Sequence, residues 1–223
     1  MKDPQEVGST QLVKNYNLKV SSATVRNEMV KLMDMGYLDK SHVSSGRLPT
    51  DLAFRLYLNE GVSGKVDNNL SLVKIRQGIF RVRFYPEQLI RQILELLVDN
   101  TSSASFIVLD DMSRSYGVSS LMNYDELRNI EALQRTLDLL EDENMLKNVF
   151  SRYDGDEVTV LIGAELGIKD LDEFALAFTK FDFWDNRSGH MGVIGSRRMD
   201  YRKVVPVLNT VRDSVRDSLK GWN

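Results

Sequence analysis

The stretch from Ser21 to Gly36 carries a helix start, an apolar stripe and a helix stop, in that order. Ser21 or Ser22 can cap the first turn, and Val25, Met29, Leu32 and Met33 recur at spacings of three and four. Gly36 supplies the left-handed residue that closes a helix. A shorter helix fits just upstream, from Gly8 to Tyr16, capped by Ser9 or Thr10 and with Leu12, Val13 and Tyr16 as its apolar face. Asn17-Leu18-Lys19-Val20 breaks the two apart. Downstream, Tyr37-Leu38 reads as a short strand and Ser44-Ser45-Gly46 as a turn. Thr50 or Asp51 then starts a third helix through Leu58, with Phe54, Leu56 and Leu58 partly buried. Helix, tight turn, helix and hairpin in this order make a winged helix-turn-helix over residues 1–60.

Residues 61–84 read as a linker, opened by Gly61, Gly64, Asp67 and two asparagines. Residues 85–223 then mix helices with strands. Pro86 to Asp99 is a helix with Leu89, Ile90, Ile93, Leu94 and Leu97 on one face, and Ser105 to Leu109 is a buried strand. Asp125 to Phe150 is helical, with Leu133, Leu137 and Leu140 on a stripe. Glu157–Ile162, Phe174–Phe183 and His190–Ile194 are strands. A last helix from Asp200 to Leu219 presents Val204, Leu208, Val211, Val215 and Leu219. The fold class is α+β, without repeats or low-complexity tracts.

Composition narrows the chemistry. The absence of cysteine excludes a disulfide scaffold, a cysteine nucleophile and thiolate metal sites. His42 and His190 are the two histidines, far apart in sequence, and no catalytic triad or metal spacing includes them. Asp110-Asp111 and Asp154-Gly155-Asp156 do not continue into a calcium loop, and no glycine-rich phosphate loop is present. An enzyme is therefore not expected, and neither is a cofactor. No apolar run approaches the roughly 20 residues of a membrane span, and Met1 to Ser9 lacks a signal-peptide core, so the cytoplasm is the expected location and no membrane partner is expected.

The formal net charge of −3 gives no general affinity for nucleic acid. Its distribution is uneven, however. From Thr10 to Thr50, Lys14, Lys19, Arg26, Lys31, Lys40 and Arg47 face only Glu28, Asp34 and Asp39, a local excess of +3. Within this segment the start of the second helix, Ser21, Ser22, Thr24, Arg26 and Asn27, combines free helix N–H groups and small hydroxyls with side chains that can read bases. Arginine pairs bidentately with guanine and asparagine with adenine. Val25, Met29 and Leu32 point inward. Around the hairpin tip Lys40, His42, Ser44, Ser45 and Arg47 suit phosphate or minor-groove contact. A Ser-Ser-X-Thr start taken alone is as well explained by a plain N-cap, and a single helical arginine by a solvated charge.

The stretch VSSATVRNEMVKLMDMGYLDKSHVSSGRLPTDLAFRLYL, from Val20 to Leu58, resembles the HrcA heat-inducible repressors across both the helix start and the wing. Glu6 to Ser9, EVGS, is similar to the piece just upstream in that family. YGVSSLMNYDELRNIEALQRTLDLLEDE, from Tyr116 to Glu143, and MGVIGSRRMDYRKVVPVL, from Met191 to Leu208, resemble later blocks in the same order.

The resemblance implies a dimeric repressor of chaperone genes that binds an inverted-repeat operator on double-stranded DNA and is kept active by a GroE-type chaperonin. It implies a winged helix-turn-helix followed by a GAF-like domain. Gly192 to Gly195 would form that domain's last strand, and Met199, Asp200 and Tyr201 would begin the final helix. Two departures from the family pattern carry expectations. A helix that precedes the EVGS-like piece is missing, so apolar faces of the small domain should be uncovered. The family's further strands and inserted dimerising domain are reduced to almost nothing between Asp110 and Ser115, so the GAF-like domain should be a reduced one. A homodimer is still expected for a two-fold operator, with the final helix and Phe183-Trp184 as either contacts or ordinary core. The alternative reading is a GAF-like small-molecule or stress sensor, or an interaction module, with little DNA binding.

Overall fold

A computed structural model describes residues 6–40, 46–61, 69–110, 112–124, 130–153 and 155–220. The chain divides into two compact units, residues 1–61 and 62–223.

The first unit opens with α1, Ser9–Tyr16. Its N-cap is Gly8 rather than Ser9 or Thr10, which lie inside the first turn. Asn17 takes the left-handed conformation at the end, and the Leu18 N–H reaches back to the Val13 carbonyl. Helix α2, Ser22–Asp34, packs on α1. It stops at Gly36, whose φ of 79° allows two closing bonds: Tyr37 N–H to Leu32 and Gly36 N–H to Met33. Strands β1, Leu38–Asp39, and β2, Leu48–Pro49, pair antiparallel, and α3, Asp51–Gly61, follows. Thr50 joins the ends of this layout: its hydroxyl donates to the Gly36 carbonyl at 2.8 Å and accepts from the Ala53 N–H.

The core of this unit centres on Met29 and Phe54. The buried stripe of α2 follows Val25, Met29 and Met33, and Leu32 lies on its flank. Leu32 was expected inside and is 39% exposed, because a turn of 3.6 residues carries it past the stripe. Tyr16, Val20, Met35 and Leu52 are exposed as well.

The second unit is built on a five-stranded antiparallel sheet of order β4-β3-β7-β6-β5. The strands are β3, Ala104–Leu109; β4, Met112–Tyr116; β5, Thr159–Ile162; β6, Phe174–Asp182; and β7, Ser188–Ser196. Helices α4, Asn69–Val82, α5, Pro86–Thr101, and α8, Tyr201–Leu219, pack on one another, with α5 and α8 against one face of the sheet. Helices α6, Ile130–Glu141, and α7, Glu143–Phe150, cover the other face through a core of Phe106, Leu139, Leu146, Phe150, Leu176 and Phe178. As the sequence blocks imply, β7 runs through Gly192–Gly195, and Asp200 and Tyr201 start the final helix.

Three expectations are corrected here. Residues 61–84 are not simply a linker, since α4 occupies most of their second half. Leu72, Ile75, Ile79 and Val82 form its inner face, a period hidden by the intervening Lys74, Arg76, Gly78 and Arg81. The stretch after Asp110 carries a strand rather than almost nothing. Met112–Tyr116 pairs with β3 as an edge strand, and its polar Ser-Arg-Ser centre shows no alternation because most of it faces water. The helical stretch to Phe150 breaks at Asp142, whose carboxylate caps α7 by accepting from the N–H groups of Asn144 and Met145. On α6, Leu140 is buried as expected, Leu133 and Leu137 are half-buried on the flank, and Ala132, Thr136 and Leu139 complete the buried stripe. Residues 125–129 lie outside the described residues.

Candidate nucleic-acid interface

Ser21 is the N-cap of α2. Its hydroxyl accepts from the Thr24 N–H at 3.0 Å and lies 2.9 Å from the Thr24 hydroxyl. The plain-cap reading of Ser21 therefore holds, and the cap sets where the helix begins. No acidic residue stands in the first turn, so the positive end of the helix dipole is not neutralised from within. Ser22 is half-buried against the core side, whereas Thr24, Arg26 and Asn27 are exposed. Neither Arg26 nor Asn27 has a side-chain partner among the described residues. With about 100° between successive residues, Asn27 and Thr24 point roughly opposite Met29, and Arg26 projects from one flank.

That outward row contains a residue the site reading passed over. Lys31 continues it one turn beyond Asn27, exposed and paired with Glu28 at 2.7 Å. Its spacing of four from Asn27 was the signal available for finding it.

The hairpin side is anchored from an unexpected direction. Val7 and Arg47 exchange both backbone hydrogen bonds, at 3.1 and 3.0 Å, so the N-terminal segment lies beside the ribbon as a third, one-rung strand. Gly46 makes this possible. A Cβ there would stand 2.5 Å from the Glu6 carbonyl carbon, so only glycine admits so close an approach. Arg47 is half-buried and donates from Nη1 to the Gly46 carbonyl, which places part of its guanidinium in the structure of the ribbon rather than at its tip. Lys40 is exposed just past β1, its N–H held by the Asp39 carboxylate. His42, Ser44 and Ser45 lie outside the described residues. Of the expected site, the structure groups Ser21, Thr24, Arg26 and Asn27 on one helix start, and sets Lys40 and Arg47 at the base of the ribbon.

Phe183 and Trp184, candidates for a dimer contact, sit in the β6–β7 connection. Phe183 is buried against Phe181 at a ring separation of 5.9 Å and is core, while Trp184 is half-buried.

Comparison with known proteins agrees with this layout. A crystal structure of a protein described only as hypothetical, at 2.2 Å resolution, superposes with a TM-score of 0.79 over 98% of this chain and 94% of that one. The two share the fold at 17% identity. The heat-inducible transcription repressor HrcA of Clostridium perfringens (strain ATCC 13124) is 26% identical, over 97% of this chain and 93% of its own length. That of Clostridium tetani is 23% identical over 98% and 91%, and that of Fusobacterium nucleatum 25% over 94% and 86%. The family model described as the HrcA protein C terminal domain matches residues 18–205, reaching from the turn before α2 into α8. With most of the chain inside that match, the chain belongs to the HrcA family.

Proposed function

We propose that this chain is a transcriptional repressor of heat-shock genes that acts by binding DNA rather than by catalysis. The two helices and ribbon of residues 1–60 act as a winged helix-turn-helix, with α2 as the reading helix in the major groove. Arg26 and Asn27 address base edges there, and Lys31 and Lys40, with the Ser21 and Thr24 end of the helix, hold the phosphate backbone. His42, Ser44 and Ser45 belong to the wing in this reading, and Arg47 braces it. The observation that carries the proposal is the capped, acid-free start of α2, on which an exposed arginine and asparagine stand without partners among the described residues.

The operator is an inverted repeat and the active species a homodimer, because two-fold related half-sites need two-fold related reading helices. The sheet of the second unit serves as a GAF-like domain from which the dimer is assembled, in the cytoplasm, and a GroE-type chaperonin is its regulatory partner. Membership of a family whose relatives are named heat-inducible transcription repressors supports this reading.

Fluorescence anisotropy on an inverted-repeat duplex taken from upstream of a chaperone operon, against a scrambled duplex at physiological salt, tests it. Preference for the repeat by roughly a thousandfold is expected. Equal affinity for the two duplexes would refute specific repression.

A further inference from the structure

The end of the sheet where β6 runs into β7 contains a recess that the DNA reading does not use. Register places Lys180 of β6 beside His190 of β7, and His190 beside Val108 of β3. Alternation along the strands puts Lys180 on the side of Phe178, and His190 on the side of Gly192 and Ile194, which is the face covered by α6 and α7. One rung inward, Gly192 has no room for a side chain, since a Cβ would lie 2.5 Å from the Phe106 ring. Phe150, the last residue of α7, closes over this floor. Its ring stacks on His190 at 4.4 Å and on Phe106 at 5.9 Å, and meets Phe178 at 4.7 Å.

Beside this aromatic cluster lies a cavity of about 310 Å³, lined by Lys147, Phe150, Tyr153, Lys180 and His190 among others. That volume is at the lower end of small-molecule sites, roughly 300–1,000 Å³. None of its described lining residues is acidic. Lys180 has no ion pair among the described residues, and the His190 imidazole has no hydrogen-bond partner among them. Burial and the neighbouring Lys180 push the His190 pKa down to about 4. The ring is therefore neutral at pH 7 and offers one N–H donor and one nitrogen acceptor. An unpaired ammonium and an unpartnered neutral imidazole at the edge of stacked rings match a flat molecule with an acid group at one end.

We propose that this recess binds a small aromatic carboxylate, its acid group on Lys180 and the His190 imidazole and its ring against the aromatic wall. The site is independent of the DNA reading and stands or falls separately from it.

Titration of the full-length chain with benzoate, followed through the imidazole nitrogen signals, tests the proposal. The two histidines are told apart with His42→Gln. Saturable movement of the His190 signals is expected. Benzamide, flat but uncharged, should bind roughly tenfold more weakly, and Lys180→Met, an exposed position, should weaken benzoate to a similar degree. Absence of a saturable shift up to roughly 10 mM benzoate would overturn the proposal. So would equal binding of benzamide, or benzoate binding unchanged in Lys180→Met.

Discussion

Val7 and Arg47 share two backbone hydrogen bonds across forty residues of sequence, and the approach rests on the bare Cα of Gly46. The segment before α1 is thereby part of the hairpin. Gly46→Ala forces a methyl into the Glu6 backbone, which cannot yield as a flexible side chain would. The expected outcome is a loss of about 1–3 kcal/mol from the stability of the first unit. Hydrogen exchange checks it: the Val7 and Arg47 amides should lose protection while those of β3 and β7 keep theirs.

Base reading and phosphate holding separate experimentally. Arg26→Ala is expected to weaken operator binding by about 1–3 kcal/mol while leaving scrambled duplex little changed, and Asn27→Ala to act in the same way. Lys31→Ala should weaken both duplexes alike and lower the salt dependence by about one counterion. Anisotropy titrations at several salt concentrations make the distinction. An equal loss on both duplexes for Arg26→Ala would make it a phosphate contact.

The caps of α2 set its ends. Ser21→Ala removes the acceptor for the Thr24 N–H and should cost about 1 kcal/mol. Gly36→Ala puts a side chain at a φ of 79° and should cost about 1 kcal/mol through backbone strain. Chemical denaturation followed by circular dichroism reads both. A cost near zero for Gly36→Ala would mean that the helix can end differently.

Acid sensitivity follows from His190. Its pKa lies near 4 in the folded chain, below the ordinary 6.5, first because of burial and then because of Lys180. A depressed histidine binds fewer protons folded than unfolded, so its contribution is fully present above pH 6.5 and lost as pH falls from 6.5 toward 4. His190→Gln should flatten stability over that window, and Lys180→Met should raise the His190 midpoint. Nuclear magnetic resonance titration of the ring measures the midpoint, and a value at or above 6.5 would contradict the burial argument.

Much of the fold could be read from residue patterns alone. Gly36 as a stop, Ser21 as a cap and the buried runs of β3, β6 and β7 follow from local chemistry, since each is decided by a residue and its near neighbours. The features that escaped depend on distant partners. Strand β4 is polar and exists because β3 offers it an edge, and α4 shows its period only when Lys74, Arg76 and Arg81 are seen to face water. The site divides in the same way. Arg26 and Asn27 were visible as exposed residues of a helix start, but nothing near Arg47 in sequence announces that Val7 lies against it. His190 read simply as a residue in a strand, because the ring that covers it comes from forty residues upstream in α7.

The hydroxyl of Thr50 holds the start of α3 to the carbonyl that follows α2. Helix α3 is the last element before the division of the chain at residue 61. The end of α2 is thus tied to the start of the helix by which the chain leaves the first unit. In the proposed repressor, a twist applied to α3 would reach α2 through this bond, without any contact between DNA and the source of the twist.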